Sequence, residues 1–393
     1  MFFLLWVNRH MLSPLPTMVP HGALETLLVG RNQIDKLLKR NCNLLAGDHN
    51  RTLDLDVSGV DVYFYNFEKL DIRSYPIATA AKGILDYKPL DKRRKFIVFV
   101  GGYKSHINKK TEERIRDTFR ELPNSYLIIL DHSMYTNDNQ GAIKSYERSV
   151  KYVHYIGKAL ASMLTELKKG GVSPKNIHCI GHSLGSQMLG NTGEIFNQNT
   201  GTKIARITAL DPAGPCFSKS LIEEQVRSGV AEYVEIYHCN SGALGTTSIL
   251  GDIDFLFNKK GQSQPHCGTP LIPGFFDSPK AAKCNHRACI DLWTATVKNP
   301  GWFMAYKCDK YKEFKSGSCS ANDVTIAGYW NPCNKTGVYY VSTEVGTQTN
   351  NRRQVLYGLM TELLKAGGRP VISTLQKLFN FVILEGKTYR FDL

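Results

Sequence analysis

Near the middle of the chain, Gly181-His182-Ser183-Leu184-Gly185 places one serine between two glycines. The apolar residues Ile177, Cys179 and Ile180 lead into it, and a helix-compatible stretch follows. A strand that turns sharply into a helix at such a pentapeptide lifts the serine hydroxyl clear of the backbone, ready for nucleophilic attack. Glycine is needed at both flanks because a side chain there would meet the neighbouring strand or helix. The pentapeptide is not specific by itself, so its context decides whether Ser183 is a nucleophile.

A serine hydroxyl attacks poorly near neutral pH unless an imidazole takes its proton and a carboxylate fixes that imidazole. Downstream, Ile204–Leu210 reads as a strand running into Asp211-Pro212-Ala213-Gly214-Pro215. Asp211 is the candidate acid, although a turn or helix cap is the plainer role for an Asp-Pro pair. Three histidines follow. His238 ends a strand and suits a buried, hydrogen-bonded support, and His266 adjoins Cys267 on an expected surface loop. His286 sits in Cys284-Asn285-His286-Arg287, where a disulfide at Cys284 would fix the loop carrying the ring. The residues alone rank His286 first by a narrow margin. Acyl transfer also needs backbone N–H donors for the oxyanion. Leu184, directly after the serine, offers one, and Tyr103 of Gly101-Gly102-Tyr103 offers the other.

The elements that must position these residues alternate between strand and helix. Val60–Tyr65, Phe96–Val100, Tyr126–Leu130 and Val234–Tyr237 read as further strands. From Tyr146 to Leu167, apolar residues at Val150, Val153, Ile156, Leu160, Met163 and Leu167 keep helical spacing. Polar residues at the strands' C-terminal ends predict a doubly wound, mostly parallel α/β sheet with its site along that edge. Past residue 300 a cysteine-rich irregular region runs to Cys333, and a last strand is expected at Gly337–Thr343. The chain divides into an N-terminal extension (1–50) with a possible short helix at Leu27–Leu45, a catalytic domain (51–345) and a helical tail (346–393). The apolar stripe of that tail suits packing on its own domain better than a membrane surface.

The net charge of +14 suits an anionic partner or a solvated basic surface, and no nucleic-acid motif accompanies it, so no nucleic-acid partner is expected. No apolar run is long enough to cross a bilayer. Ten cysteines lack a C-x-x-C pair, which excludes a zinc ribbon and points to disulfides in an oxidising compartment. The sequons at Asn50 and Asn334 agree with secretion, with Phe2–Val7 as an atypical signal. No metal or cofactor is implied.

Four segments occur in order: Gly181–Gly185, Leu210–Pro215, Asp254-Phe255 with Gln264-Pro265-His266-Cys267, and Cys284-Asn285-His286-Arg287. Together, over about residues 55–345, they resemble the animal lipase family of pancreatic and lipoprotein lipases and insect phospholipases A1. The resemblance implies an α/β-hydrolase fold and a secreted serine esterase acting on glycerolipids at a membrane or micelle surface. It implies Ser183 as nucleophile, Asp211 as acid and His286 as base. Asp131-His132-Ser133 and Tyr146 also fit the family's pattern. By the same resemblance Cys267 and Cys284 close a lid loop bearing Leu271, Ile272, Phe275 and Phe276, and Cys308 pairs with Cys319. For Cys42, Cys216, Cys239, Cys289 and Cys333 neither the residues nor the resemblance assigns a pairing, and Cys179 is read as a buried free thiol. The short lid and the short loop 240–251 resemble the phospholipase A1 branch; the alternatives are a neutral triacylglycerol lipase and a non-catalytic, yolk-type lipid carrier. Three features depart from the family. Gly101 stands where a histidine is usual, Ser186-Gln187 replaces Ala-His, and a C-terminal β-sandwich is not expected, nor a colipase-like partner with it.

Overall fold

The computed structural model describes residues 29–30, 55–137, 142–217, 225–268, 276–277, 279–319 and 322–343. A hairpin of β1 (Asp61–Asn66) and β2 (Asp71–Pro76) leads into α1 (Ile77–Leu85). Then follow β3 (Lys95–Val100), α2 (Lys110–Arg120), β4 (Ser125–Asp131), α3 (Ala142–Lys169) and β5 (Ile177–His182). After α4 (Leu184–Thr200) come β6 (Arg206–Leu210), β7 (Tyr233–His238) and β8 (Ile253–Phe257). The series closes with α5 (Pro279–Lys298), β9 (Phe303–Lys307), β10 (Val324–Ala327) and β11 (Gly337–Val341).

These strands form one 11-stranded sheet in the order β10-β9-β11-β8-β7-β6-β5-β3-β4-β1-β2. Neighbours from β4 to β11 run parallel, and antiparallel strands finish both edges. A parallel sheet has both faces covered, which is why its central strands are apolar without alternation. In β3, Phe96, Val98 and Val100 face a core that α1, α3 and α4 cover, while Ile97 and Phe99 face the core of α2 and α5.

The expected strands and the long helix are present within a few residues. Beyond residue 300 the expectation of an irregular region was wrong. β9 and β10 form there and extend the sheet through antiparallel pairs with β11 and each other. These strands are short, five and four residues, so their local signal is weak and pairing stabilises them, β9 on β11 and β10 on β9. The extension 1–50 and the tail 346–393 lie outside the described residues, except that Val29–Gly30 pair as strand with Phe276–Asp277 rather than joining a helix.

A buried polar network ties this added edge to the central strands. Glu235 on β7 is wholly buried and accepts from Arg206 Nη2 at 2.6 Å, Thr208 Oγ1 at 2.5 Å and Asn331 Nδ2 at 2.8 Å. Arg206 also donates to the carbonyls of Gly328 and Tyr329. Removing one member of such a pair strands a buried charge. Arg206→Ala is therefore expected to lower the unfolding free energy by about 3–5 kcal/mol in urea titration. A loss within about 1 kcal/mol would show that the network does not anchor this edge.

Candidate active site

Ser183 lies between β5 and α4 with φ 56° and ψ −120°. Such a conformation costs a non-glycine residue about 1–3 kcal/mol and persists only where the surroundings enforce it. Its N–H donates to Leu210 O, and its carbonyl accepts from Ala213 and Ser186 N–H, each at 3.1 Å. The flanking glycines are required by space. A Cβ at Gly181 would lie 2.6 Å from Ser186 N, and one at Gly185 would strike the carbonyls of Val100 and Gly101.

Asp211 follows β6 directly and is fully buried. Its Oδ1 accepts from the N–H groups of Cys239 at 2.8 Å and Asn240 at 3.0 Å. Its Oδ2 lies 2.5 Å from His286 Nδ1. Because the carboxylate only accepts, the imidazole proton sits on Nδ1, leaving Nε2 as the basic atom. In the loop 240–251, residues 244–246 pack on this acid turn, with Gly245 bridged to Ala213 and Thr246 N–H donating to Pro212 O.

His286 was expected on a loop, but it stands on α5. Two disulfides pin that helix: Cys267–Cys284, the expected pair, and Cys239–Cys289. The second was missed, yet it joins the residue whose N–H holds Asp211 to the residue one turn beyond His286. Cys308–Cys319 is also present, Cys179 is a buried free thiol, and Cys333 is free. His182 was also missed. Its Nε2 donates to His286 O at 3.1 Å and its ring lies 4.6 Å from that of His286. Burial first, and then the adjacent His286, hold the pKa of His182 well below the usual histidine range. It is therefore a neutral donor.

The segment Gly101-Gly102-Tyr103 follows β3 and passes beside the serine: a Cβ at Gly102 would lie 2.7 Å from Ser183 Cβ. The Tyr103 ring packs edge-on against Tyr146 at 5.4 Å, and Tyr146 OH donates to Pro215 O at 2.9 Å, linking this loop to the acid turn. Leu184 is the first residue of α4 and fully buried. Gln187, at the departure from the family pattern, donates to Ala213 O at 2.8 Å and accepts from Val226 N at 3.0 Å.

Neither of the other two downstream candidates, His238 and His266, hydrogen-bonds Asp211. His238 ends β7 and bonds Asp254 Oδ1 at 2.8 Å; burial opposes its charge, but Asp254 outweighs it and raises the pKa. His266 is exposed in a short turn at Pro265–Cys267. Its ring nitrogen approaches the sulfurs of Cys267 and Cys284, but those sulfurs are bonded to each other, so the group is not a metal site. Of the expected lid side chains, Leu271, Ile272 and Phe275 lie outside the described residues, as does the side chain of Phe276. The basic run Lys92–Lys95 enters β3 at the opposite end of the sheet from Ser183, with Arg93 paired to Asp91 and Arg94 to Glu68.

The sheet order and the helices on both faces define an α/β-hydrolase fold. A family model described as Lipase matches residues 46–362, and the chain belongs to that family. Lipase member H of Mus musculus is 32% identical over 221 residues, 56% of this chain and 46% of that protein. Lipase member H of Danio rerio is 35% identical over 182 residues, 46% of this chain and 38% of that protein. Phospholipase A1 member A of Homo sapiens is 34% identical over 179 residues, 46% of this chain and 37% of that protein. The chain thus spans less than half the length of these relatives.

The close passage of Gly102 beside Ser183 can be tested directly. Gly102→Ala is expected to lower kcat for ester hydrolysis about 100-fold or more while the unfolding midpoint stays near the parent's, because the added methyl displaces the Gly101–Tyr103 segment from Ser183. A kcat within about threefold of the parent would show that the loop tolerates displacement.

Proposed function

We propose that the protein is a secreted serine esterase that hydrolyses carboxylic ester bonds of glycerolipids, with phospholipase A1 activity. The observation that carries this reading is the buried Asp211 carboxylate, held by two backbone N–H groups on one oxygen and by His286 Nδ1 on the other. An imidazole oriented this way is useful if it takes a proton from a nucleophile, and Ser183 is held in a strained turn next to the same elements.

In this mechanism His286 Nε2 removes the Ser183 proton as the hydroxyl oxygen attacks the ester carbonyl. The N–H groups of Leu184 and Tyr103 stabilise the resulting oxyanion. His286 then gives its proton to the departing alcohol, leaving an acyl-enzyme on Ser183. Water, deprotonated by His286, attacks that acyl group, and His286 returns the proton to Ser183 Oγ as the acyl bond breaks and the fatty acid leaves. Asp211 keeps the imidazole in one tautomer and stabilises its cation. The chemistry calls for no metal or cofactor, and no colipase-like partner is invoked.

Membership of the Lipase family and relatives named phospholipase A1 member A support a glycerolipid substrate presented at a membrane or micelle surface. The disulfides support an oxidising, extracellular setting, and no helix among the described residues is long and apolar enough to cross a membrane. Neutral triacylglycerol hydrolysis is the second reading, since membership of the Lipase family covers an ester of either lipid. A non-catalytic lipid carrier would have no use for the Asp211–His286 arrangement.

Hydrolysis of phosphatidylcholine and trioleoylglycerol, side by side, separates these readings. The protein is expected to release fatty acid, preferentially from the phospholipid, and Ser183→Ala to lose at least about 1,000-fold in kcat. Faster release from trioleoylglycerol would make it a neutral lipase. Vesicle binding by both proteins without hydrolysis would make it a carrier.

A further inference from the structure

The loop carrying Gly101, Gly102 and Tyr103 rests on a carboxyl that the acyl-transfer steps do not use. Glu112, in the first turn of α2, is 1% exposed. Its Oε1 is hydrogen-bonded to Ser105 Oγ, and its Oε2 is buried with no partner among the described residues. Ser105 belongs to the loop itself, since its N–H donates to Gly102 O at 3.1 Å. A Cβ at Gly101 would strike Ser105 Oγ and lie 2.6 Å from Glu112 Oε1. Ser105 and Glu112 therefore fill the volume beneath Gly101, where a larger residue has no room. Gly101 O accepts from His132 Nε2 at 3.0 Å, so the loop is gripped at both residues before Tyr103.

We infer that Glu112 is a positioning residue: its neutral carboxyl, acting through Ser105, holds the donor loop in place beside Ser183, and its ionisation lets that loop shift. The inference rests on the reading of Ser183 as nucleophile and Tyr103 as oxyanion donor. A neutral acid can stay buried with few partners, whereas a carboxylate with one side-chain hydrogen bond is poorly solvated there. Solvating the charge requires the packing around Glu112 to open, and Ser105 couples that opening to the turn through its bonds to Glu112 Oε1 and Gly102 O.

The groups facing Glu112 set its titration. Burial raises its pKa most, and the hydrogen bonds from Ser105 and from its own backbone offset part of that. Asp131 at the end of β4 repels the charge, and Arg116, one turn along α2, attracts it. Arg116 is engaged elsewhere, donating to Ile107 O at 2.5 Å, and Asp131 accepts from Ile107 N at 3.0 Å. His132, beyond Gly101, is kept neutral mainly by its burial. The balance pushes Glu112 up to about 7.

The test is the pH dependence of kcat and KM for p-nitrophenyl butyrate with the parent protein, Glu112→Gln, Ser105→Ala and Ser183→Ala. For the parent, kcat is expected to fall on the alkaline side with a midpoint of about 7, at constant KM. Glu112→Gln, which stays neutral, should lose that alkaline limb, and Ser105→Ala should lower kcat about tenfold without raising KM. The inference is overturned if the parent shows no alkaline limb, if Glu112→Gln keeps it, or if the effects lie in KM. Should Glu112→Gln fail to fold, infrared difference spectra of the parent and Ser105→Ala decide the matter. A protonated-carboxyl band that vanishes near neutral pH in step with kcat supports the role, and one that does not overturns it. Hydrolysis retained by Ser183→Ala would instead remove the nucleophile reading. An inactive Ser183→Ala beside an unchanged Glu112→Gln profile would remove only the role of Glu112.

Discussion

A carboxylate with no solvent exposure is costly unless hydrogen bonds replace its water. Asp211 meets that condition with the N–H groups of Cys239 and Asn240 and with His286 Nδ1–H. These donors come from two levels of organisation. The two amides lie just past the end of β7, the sheet neighbour of β6, so strand register delivers them. The imidazole arrives on α5, remote in sequence, and needs another means of fixation. The Cys239–Cys289 disulfide supplies it by bonding the residue that donates to Asp211 to the helix that carries His286. Closing a loop of 50 residues also removes freedom from the unfolded chain.

The same sheet edge carries the other parts. β3 ends in the Gly101–Tyr103 loop, β5 in Ser183 and β6 in Asp211, so three adjacent parallel strands bring that loop, the hydroxyl and the carboxylate together. Hydrogen bonds between these turns make them one unit. Ser183 receives from Ala213, Ala213 accepts from Gln187, and Tyr146 links Tyr103 to Pro215. A strained serine backbone persists only inside such a mutually determined set.

How much of this was legible depended on how local each signal was. The glycines around Ser183 and the strand running into Asp211 are local patterns, and both residues could be singled out from them. His286 could not be separated cleanly from His238 and His266 by its neighbours; resemblance to a family made the choice, and its place on a helix was not foreseen. The Cys239–Cys289 pair was hidden because sequence alone does not give disulfide connectivity. β9 and β10 were hidden because strands at an edge take their stability from pairing rather than from a strong pattern of their own. Glu112 did leave a trace. It stands three residues before Ile115 and seven before Phe119, both buried, so helical spacing alone turns it inward.

The departures from the family pattern are compensated by neighbours, which is how a site can change residues and keep its geometry. Gln187, where a histidine is usual, uses both ends of its amide to join the acid turn to the segment at Val226. Gly101, also in a histidine position, gives up a side chain, and Ser105 with Glu112 occupies the space from below. The two replacements differ in kind. An amide is neutral at every pH, so the link through Gln187 does not vary with proton concentration. A buried carboxyl is not neutral at every pH, so the support beneath Gly101 brings a titration with it. His182 and His132, which touch the same turns, are held neutral by burial and stay constant donors as the pH rises. On the role inferred for Glu112, the Gly101–Tyr103 loop is the part of this edge whose support changes above neutrality, while the Asp211–His286 pair and the Gln187 link make no contact with Glu112.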